Sequence, residues 1–174
     1  MKKLFYLLII TIFILPSCQT EQKYLTVEEI KKEETEILKV LIAYNKASED
    51  KNFAELLKTL ADSVVFFGSD QGEVIKTFAD YKEAIQKQWE EYEYTKYGDI
   101  TDLFIAMDNR ATLASVIYGV PLQAKLKNGI NEEVFLRVSR TLRKQNDKWV
   151  IVSGITSIPR VKPTPQPQQE SVTQ

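Results

Sequence analysis

The sequence predicts an α+β domain, and three features of it carry that prediction. Apolar residues recur at helical spacing in the first part of the chain. They alternate in twos over the second part. The two regimes meet in a short corner, Tyr44–Gly68, where a helix ends, a second short helix follows and an apolar strand begins without a long loop.

The 174 residues suffice for one domain with appendages. Residues 1–17 carry a basic start at Lys2 and Lys3, an apolar run from Leu4 to Leu15 broken only by Thr11, and then Pro16 and Ser17 before Cys18. That is the pattern of a signal peptide, too short for a stable membrane span. Residues 18–25 are polar and read as a tether. The folded domain is expected over 26–160, and the Pro- and Gln-rich tail over 161–174 is expected to be disordered.

Within the domain, Thr26 and Glu29 form a capping-box pattern that opens a helix running to about Asp50. Its apolar face holds Ile30, Ile37, Leu38, Leu41, Tyr44 and Ala47, opposite a Lys/Glu-rich solvated face. Phe53, Leu56, Leu57 and Leu60 mark a second, short helix. Val64–Phe67 is β-branched and aromatic, hence a strand, and Gly68–Gly72 is a turn. Val74–Thr77 reads as a returning strand. Tyr81, Ile85, Trp89 and Tyr92 give a third helix over Asp80–Tyr92. Strands follow at Leu103–Met107, Leu113–Leu122, Glu133–Lys144 and Trp149–Ile158, with a tight hairpin at Asn128-Gly129. A long antiparallel meander, strongly twisted, would wrap the first helix and leave a cavity at its open end.

Composition excludes several functions. The net charge is −1 with both signs dispersed, which argues against nucleic acid as a partner. There is no histidine, so the usual neutral-pH base and the commonest metal ligand are missing. Nothing has metal-ligand spacing, and with only six glycines there is no phosphate-cradling loop. No cofactor and no catalytic residue set is predicted. Cys18 is the only cysteine, so no intramolecular disulfide forms.

Leu15-Pro16-Ser17-Cys18 resembles the bacterial lipobox. The resemblance implies lipid attachment at Cys18 and anchorage to a membrane through several acyl chains. Gln19 follows, with no aspartate to signal inner-membrane retention, so the expected location is the cell envelope, at the periplasmic side of the outer membrane.

Ala43-Tyr44, Phe53–Leu57, Leu60-Ala61-Asp62, Val64–Gly68, Arg137-Val138-Ser139 and Trp149–Val152 stand in an order and spacing similar to the SnoaL-like branch of the nuclear transport factor 2 superfamily. The resemblance covers about residues 26–159. It implies a cone-shaped α+β fold shared with ketosteroid isomerase, which works through a carboxylate base and an oxyanion hole made by a tyrosine and a protonated aspartic acid. It puts Tyr44 where an oxyanion-hole tyrosine sits, and the base position on or beside Gly68, with Asp70 two residues away. The second acid position falls near Val138 or Ser139, and Ser153 and Ile155 stand where relatives carry histidines. The scaffold and one tyrosine carry over, and the acid–base set does not.

Candidate pocket residues are Tyr44, Phe67, Trp89, Tyr118 and Arg137. Tyr44 either donates into the cavity or packs in the core, and Trp89 and Tyr118 either stack on a ligand or fill space. Arg137 grips an anion if it faces the cone, and is a solvated charge if not; Arg140, three positions on, faces the opposite way. The expected partners are an apolar or anionic small molecule and a second copy docked on the sheet face. The expected role is a non-catalytic binding or dimerisation module, with an isomerase, cyclase or dehydratase as the alternative.

Overall fold

The computed structural model describes residues 24–160, so Cys18, the signal-peptide pattern and the C-terminal tail lie outside the described residues. Three helices, α1 (Val27–Glu49), α2 (Phe53–Lys58) and α3 (Phe78–Glu91), pack against one curved sheet. Its strands are β1 (Leu60–Phe67), β2 (Val74–Ile75), β3 (Tyr92–Tyr97), β4 (Thr101–Met107), β5 (Leu113–Leu126), β6 (Asn131–Gln145) and β7 (Lys148–Ser157). The α+β class and the cone shape are as the sequence predicts.

The capping box forms as read. The Thr26 N–H donates to Glu29 Oε2 at 2.8 Å, and the Glu29 N–H donates to Thr26 Oγ1 at 3.2 Å. Ile37 and Leu41 on the inward face of α1 are fully buried. Each stabilises the fold by about 1.5–3 kcal/mol through removal of apolar area from water.

The sheet runs β2-β1-β7-β6-β5-β3, with β4 also on β5. It is mixed, and this corrects the expectation of a purely antiparallel meander: β1 runs parallel to β7, pairing Phe66 with Gly154 and Phe67 with Ile155. The pairing begins where the Ile151 N–H donates to the Thr59 carbonyl at 2.8 Å, directly after α2. β3 and β4 lie one after the other along the same edge of β5: Thr95 pairs with Ala124, and Ile105 with Val116. That is why β5 and β6 are long, 14 and 15 residues.

The corner after α1 ties three elements together. Lys51 adopts φ 51°, and its ammonium donates to the carbonyls of Trp89, Tyr92 and Glu93 at 2.9, 2.6 and 3.3 Å. It thereby caps the end of α3, whose last turn has no basic residue of its own. Glu49 Oε1 accepts from the Tyr97 N–H at 2.7 Å and fixes β3 beside α1. On the outer side of α1, Glu33 accepts from Lys144 Nζ at 2.6 Å and from Trp149 Nε1 at 2.7 Å. Burial pulls the Glu33 carboxyl up, but those two hydrogen bonds together with the Lys144 and Lys32 charges outweigh it and hold it below the usual carboxylate value.

Candidate functional site

Strand alternation sorts the sheet into two faces. Across strands, Phe66, Gly154, Arg140, Val116 and Ile105 form one row facing the helices. One residue along, Phe67, Ile155, Ser139, Ile117 and Phe104 form the adjacent row, facing outward. The first row lines the cone.

The buried polar side chains of the described residues are one guanidinium, Arg140, the Asn45 amide and the hydroxyls of Ser48, Thr59 and Thr95. Arg140 is only 6% exposed. Its Nη1 donates to the Ser139 and Ile155 carbonyls at 3.1 and 3.3 Å, and its Nη2 to Thr156 Oγ1 at 3.2 Å. The guanidinium carbon sits 5.2 Å from the centroid of the Phe66 ring and 5.7 Å from that of Tyr44, within cation–π range. It forms no ion pair among the described residues. Gly154 makes room for it: a Cβ there would lie 2.5 Å from Arg140 Nη1, 2.6 Å from its Cδ and 2.6 Å from the Ser139 carbonyl.

Tyrosines surround this cation. The Tyr81 hydroxyl donates to the Tyr44 hydroxyl at 3.2 Å, and the Tyr81 ring lies 5.5 Å from Phe66. Burial, reinforced by Tyr44, pushes the Tyr81 hydroxyl above the usual phenol value. Burial likewise raises Tyr118 and pushes Tyr97, which is hydrogen-bonded to Ser48, up to about 12. All three stay neutral donors at physiological pH.

Tyr44 therefore stands in the cone, half-buried, and Tyr118 is buried beside it on the inward face of β5. Three other candidates stand elsewhere. Arg137 is exposed on the outer face, because the buried positions of β6 are Leu136, Val138, Arg140 and Leu142. Phe67 is 49% exposed on that same outer face. Trp89 packs edge-on against Phe53 at 6.3 Å between α2 and α3, and its buried Nε1 has no hydrogen-bond partner among the described residues. Sequence reasoning missed Arg140, Tyr81 and Tyr97 as members of the site. The legible signal for Arg140 was the run of apolar residues at alternate positions around it.

The rim holds a carboxylate where the sequence suggested none. Alternation places Gly68 and Glu73 on the same face as Phe66, and the Glu73 side chain occupies the space a Gly68 side chain would fill. Glu73 is exposed and accepts from the Asp70 N–H at 3.1 Å. Asp70 itself is on the exposed turn, and its charge acts on Tyr92. Val138 is buried and Ser139 faces outward, so the second acid position stays empty of acid. Among the described residues no group of acidic side chains has metal-binding geometry.

Two grooves on the described residues lie outside the cone. One, of about 850 Å³, runs between α1, α2 and the β6–β7 turn. Its charges are largely paired with one another: Lys39 with Glu36, Lys46 with Asp50, Lys58 with Glu55 and Lys144 with Glu33. The other, of about 180 Å³, lies between the start of α1 and the end of β4.

A helix-backed cone closed by a mixed, strongly curved sheet defines the class. The chain belongs to the SnoaL-like domain family, whose profile matches residues 37–161. It is similar in structure to a protein provisionally described as a scytalone dehydratase from Novosphingobium aromaticivorans, with a TM-score of 0.71 at 12% identity over 78% of this chain and 89% of that one. A type 2 hexachlorocyclohexane dehydrochlorinase (LinA) superposes with a TM-score of 0.67 at 10% identity over 75% of this chain and 88% of that one. A Nostoc punctiforme protein of unknown function with a cystatin-like fold gives a TM-score of 0.63 at 13% identity over 80% of this chain and 98% of that one. At these identities the likeness is one of fold. No curated protein matches the sequence.

Proposed function

We propose that this chain is a non-catalytic binding module of the bacterial envelope, anchored by lipid at Cys18, holding a small molecule in its cone and pairing with a second copy through its outer sheet face. The observation that carries the binding role is the cluster around Arg140: a buried guanidinium against the Tyr44 and Phe66 rings, with the Tyr81 hydroxyl donating to that of Tyr44 and no ion pair to the guanidinium among the described residues. Such a set holds and orients; it does not abstract a proton at neutral pH. The pairing role rests on Phe67, Ile155, Ile117 and Phe104, all exposed in one cross-strand row. An exposed, largely apolar strip on a sheet, here interrupted by Ser139, is a common basis for protein association.

Three measurements test this reading. A thermal-shift screen of small aromatic and carboxylic compounds is expected to find stabilising ligands, and a screen without any sinks the binding role. Sedimentation is expected to give twice the protomer mass, and a strictly monomeric species sinks the pairing role. Palmitate labelling in a bacterial host is expected to mark the chain and to vanish in Cys18→Ser; equal labelling of that variant overturns the anchor.

A second reading, an isomerase, cyclase or dehydratase, is favoured by Glu73, a carboxylate reaching over Gly68 at the cone rim. With Tyr44, backed by the Tyr81 hydroxyl, as oxyanion donor it would supply a base. Turnover of a ligand found in the screen, abolished by Glu73→Gln, decides for it.

A further inference from the structure

We propose that Arg140 is the anion-recognising group of the cone and that its ligand carries a carboxylate. The proposal rests on the reading that the cone holds a small molecule, and it names the class of that molecule.

An arginine offers five N–H donors in a rigid fork. Two donors on Nη1 and one on Nη2 are engaged by Ser139, Ile155 and Thr156. Nε is buried and has no partner among the described residues. An unengaged Nε–H beside a half-engaged Nη2 is a two-pronged donor edge, the shape that a carboxylate fits with parallel hydrogen bonds. The charge itself points the same way. A buried cation is costly unless an anion neutralises it, and no carboxylate of the described residues forms an ion pair with Arg140. The rings of Tyr44 and Phe66 compensate part of that cost.

The surroundings set the rest of the chemistry. The Tyr44 hydroxyl, which accepts from Tyr81 beside the guanidinium, keeps its own O–H free to donate to a ligand oxygen. Phe66, Val116 and Tyr118 supply apolar walls. One cation among apolar walls matches a monoanion; a phosphate dianion would bring a second charge with no counterpart. Gly154 keeps the guanidinium seated, since any side chain there would collide with it. The outer groove offers a contrast: its lysines are mostly neutralised by their own carboxylates, and no fork is left open there.

The test uses the full-length chain and matched probes at constant ionic strength: acetate and benzoate against acetamide and benzamide. Wild-type protein is expected to be stabilised by the carboxylates at concentrations at least about 10-fold below those of the amides, as a charged hydrogen bond demands. Arg140→Met is expected to erase that preference, and Arg140→Lys, which keeps the charge but loses the fork, to weaken it. Where Arg140→Met does not fold, the ¹⁵N resonance of Arg140 Nε in the wild type decides, and it is expected to shift with benzoate and not with benzamide. Equal stabilisation by amides and carboxylates, with Nε unmoved, overturns the role of Arg140 and leaves the binding cone standing. No stabilisation by any probe, with Nε unmoved, overturns both.

Discussion

The two adjacent rows of the sheet differ by one residue in register and by almost everything else. The inner row, Phe66–Gly154–Arg140–Val116, is buried apart from its half-buried glycine and holds a guanidinium between aromatic rings. The outer row, Phe67–Ile155–Ser139–Ile117, is exposed and apolar apart from its half-buried serine. Composition alone would assign them the opposite way, with the arginine outside and the aromatics inside. Alternation decides instead, because a one-residue shift in a strand exchanges faces. The charge is tolerated inside because carbonyls, rings and a glycine are arranged around it.

The sharpest break in the comparison comes from neighbours on β1. Phe66→Ala is expected to cost about 3–5 kcal/mol by urea denaturation, since it empties a buried aromatic site. A cost below that of an exposed substitution would dissolve the distinction between the rows. Gly154→Ala is next, at about 1–3 kcal/mol, because the methyl meets both the Arg140 side chain and the Ser139 carbonyl. If Arg140 is the group displaced, Arg140→Met combined with Gly154→Ala recovers part of the loss.

Alkaline titration sharpens the inner row further. Tyr81, Tyr97 and Tyr118 have folded values raised above the ordinary phenol value of 10.0, Tyr97 to about 12. A raised folded value means that the native state binds the proton more tightly. The stability from these groups is therefore complete below pH 10.0 and is lost as pH rises toward 12 and beyond. Phenolate absorbance for this set is expected to appear together with unfolding; early ionisation without unfolding would contradict the packing. The smallest effect belongs to the outer row. Phe67→Ser and Ile155→Ser are each expected to change protomer stability, measured in dilute solution, by within about 0.5 kcal/mol.

Much of the fold was legible in the sequence for local reasons. Thr26 and Glu29, the α1 stripe and the Asn128-Gly129 hairpin all signal through residues within a few positions of one another. What was missed depends on distant chain or on dual use. Tyr92–Tyr97 leaves α3 directly as a strand, with Tyr92 serving both as helix cap and as first strand residue, so no turn residue announces the change. α3 begins at Phe78 because Thr77 and Asp80 form a second capping box, in a stretch whose Val74 and Ile75 read as strand. The parallel pairing of β1 with β7 joins chain ends that no periodicity links. At the site, Arg137 was the wrong member of a correctly opposed pair: Leu136, Val138 and Leu142 share the parity of Arg140. The carboxylate of Glu73 was invisible because a hairpin, not a strand position, delivers it.

Lys51 gives the corner a kinetic meaning. Its ammonium holds carbonyls 38, 41 and 42 residues away, so the final turn of α3 has no complete hydrogen-bonding complement until the α1–α2 junction is in place. The two segments are thereby one cooperative opening unit. Amide exchange at the end of α3 is expected to accelerate in Lys51→Met together with that of the junction. Independent exchange rates in the two segments would show that they open separately.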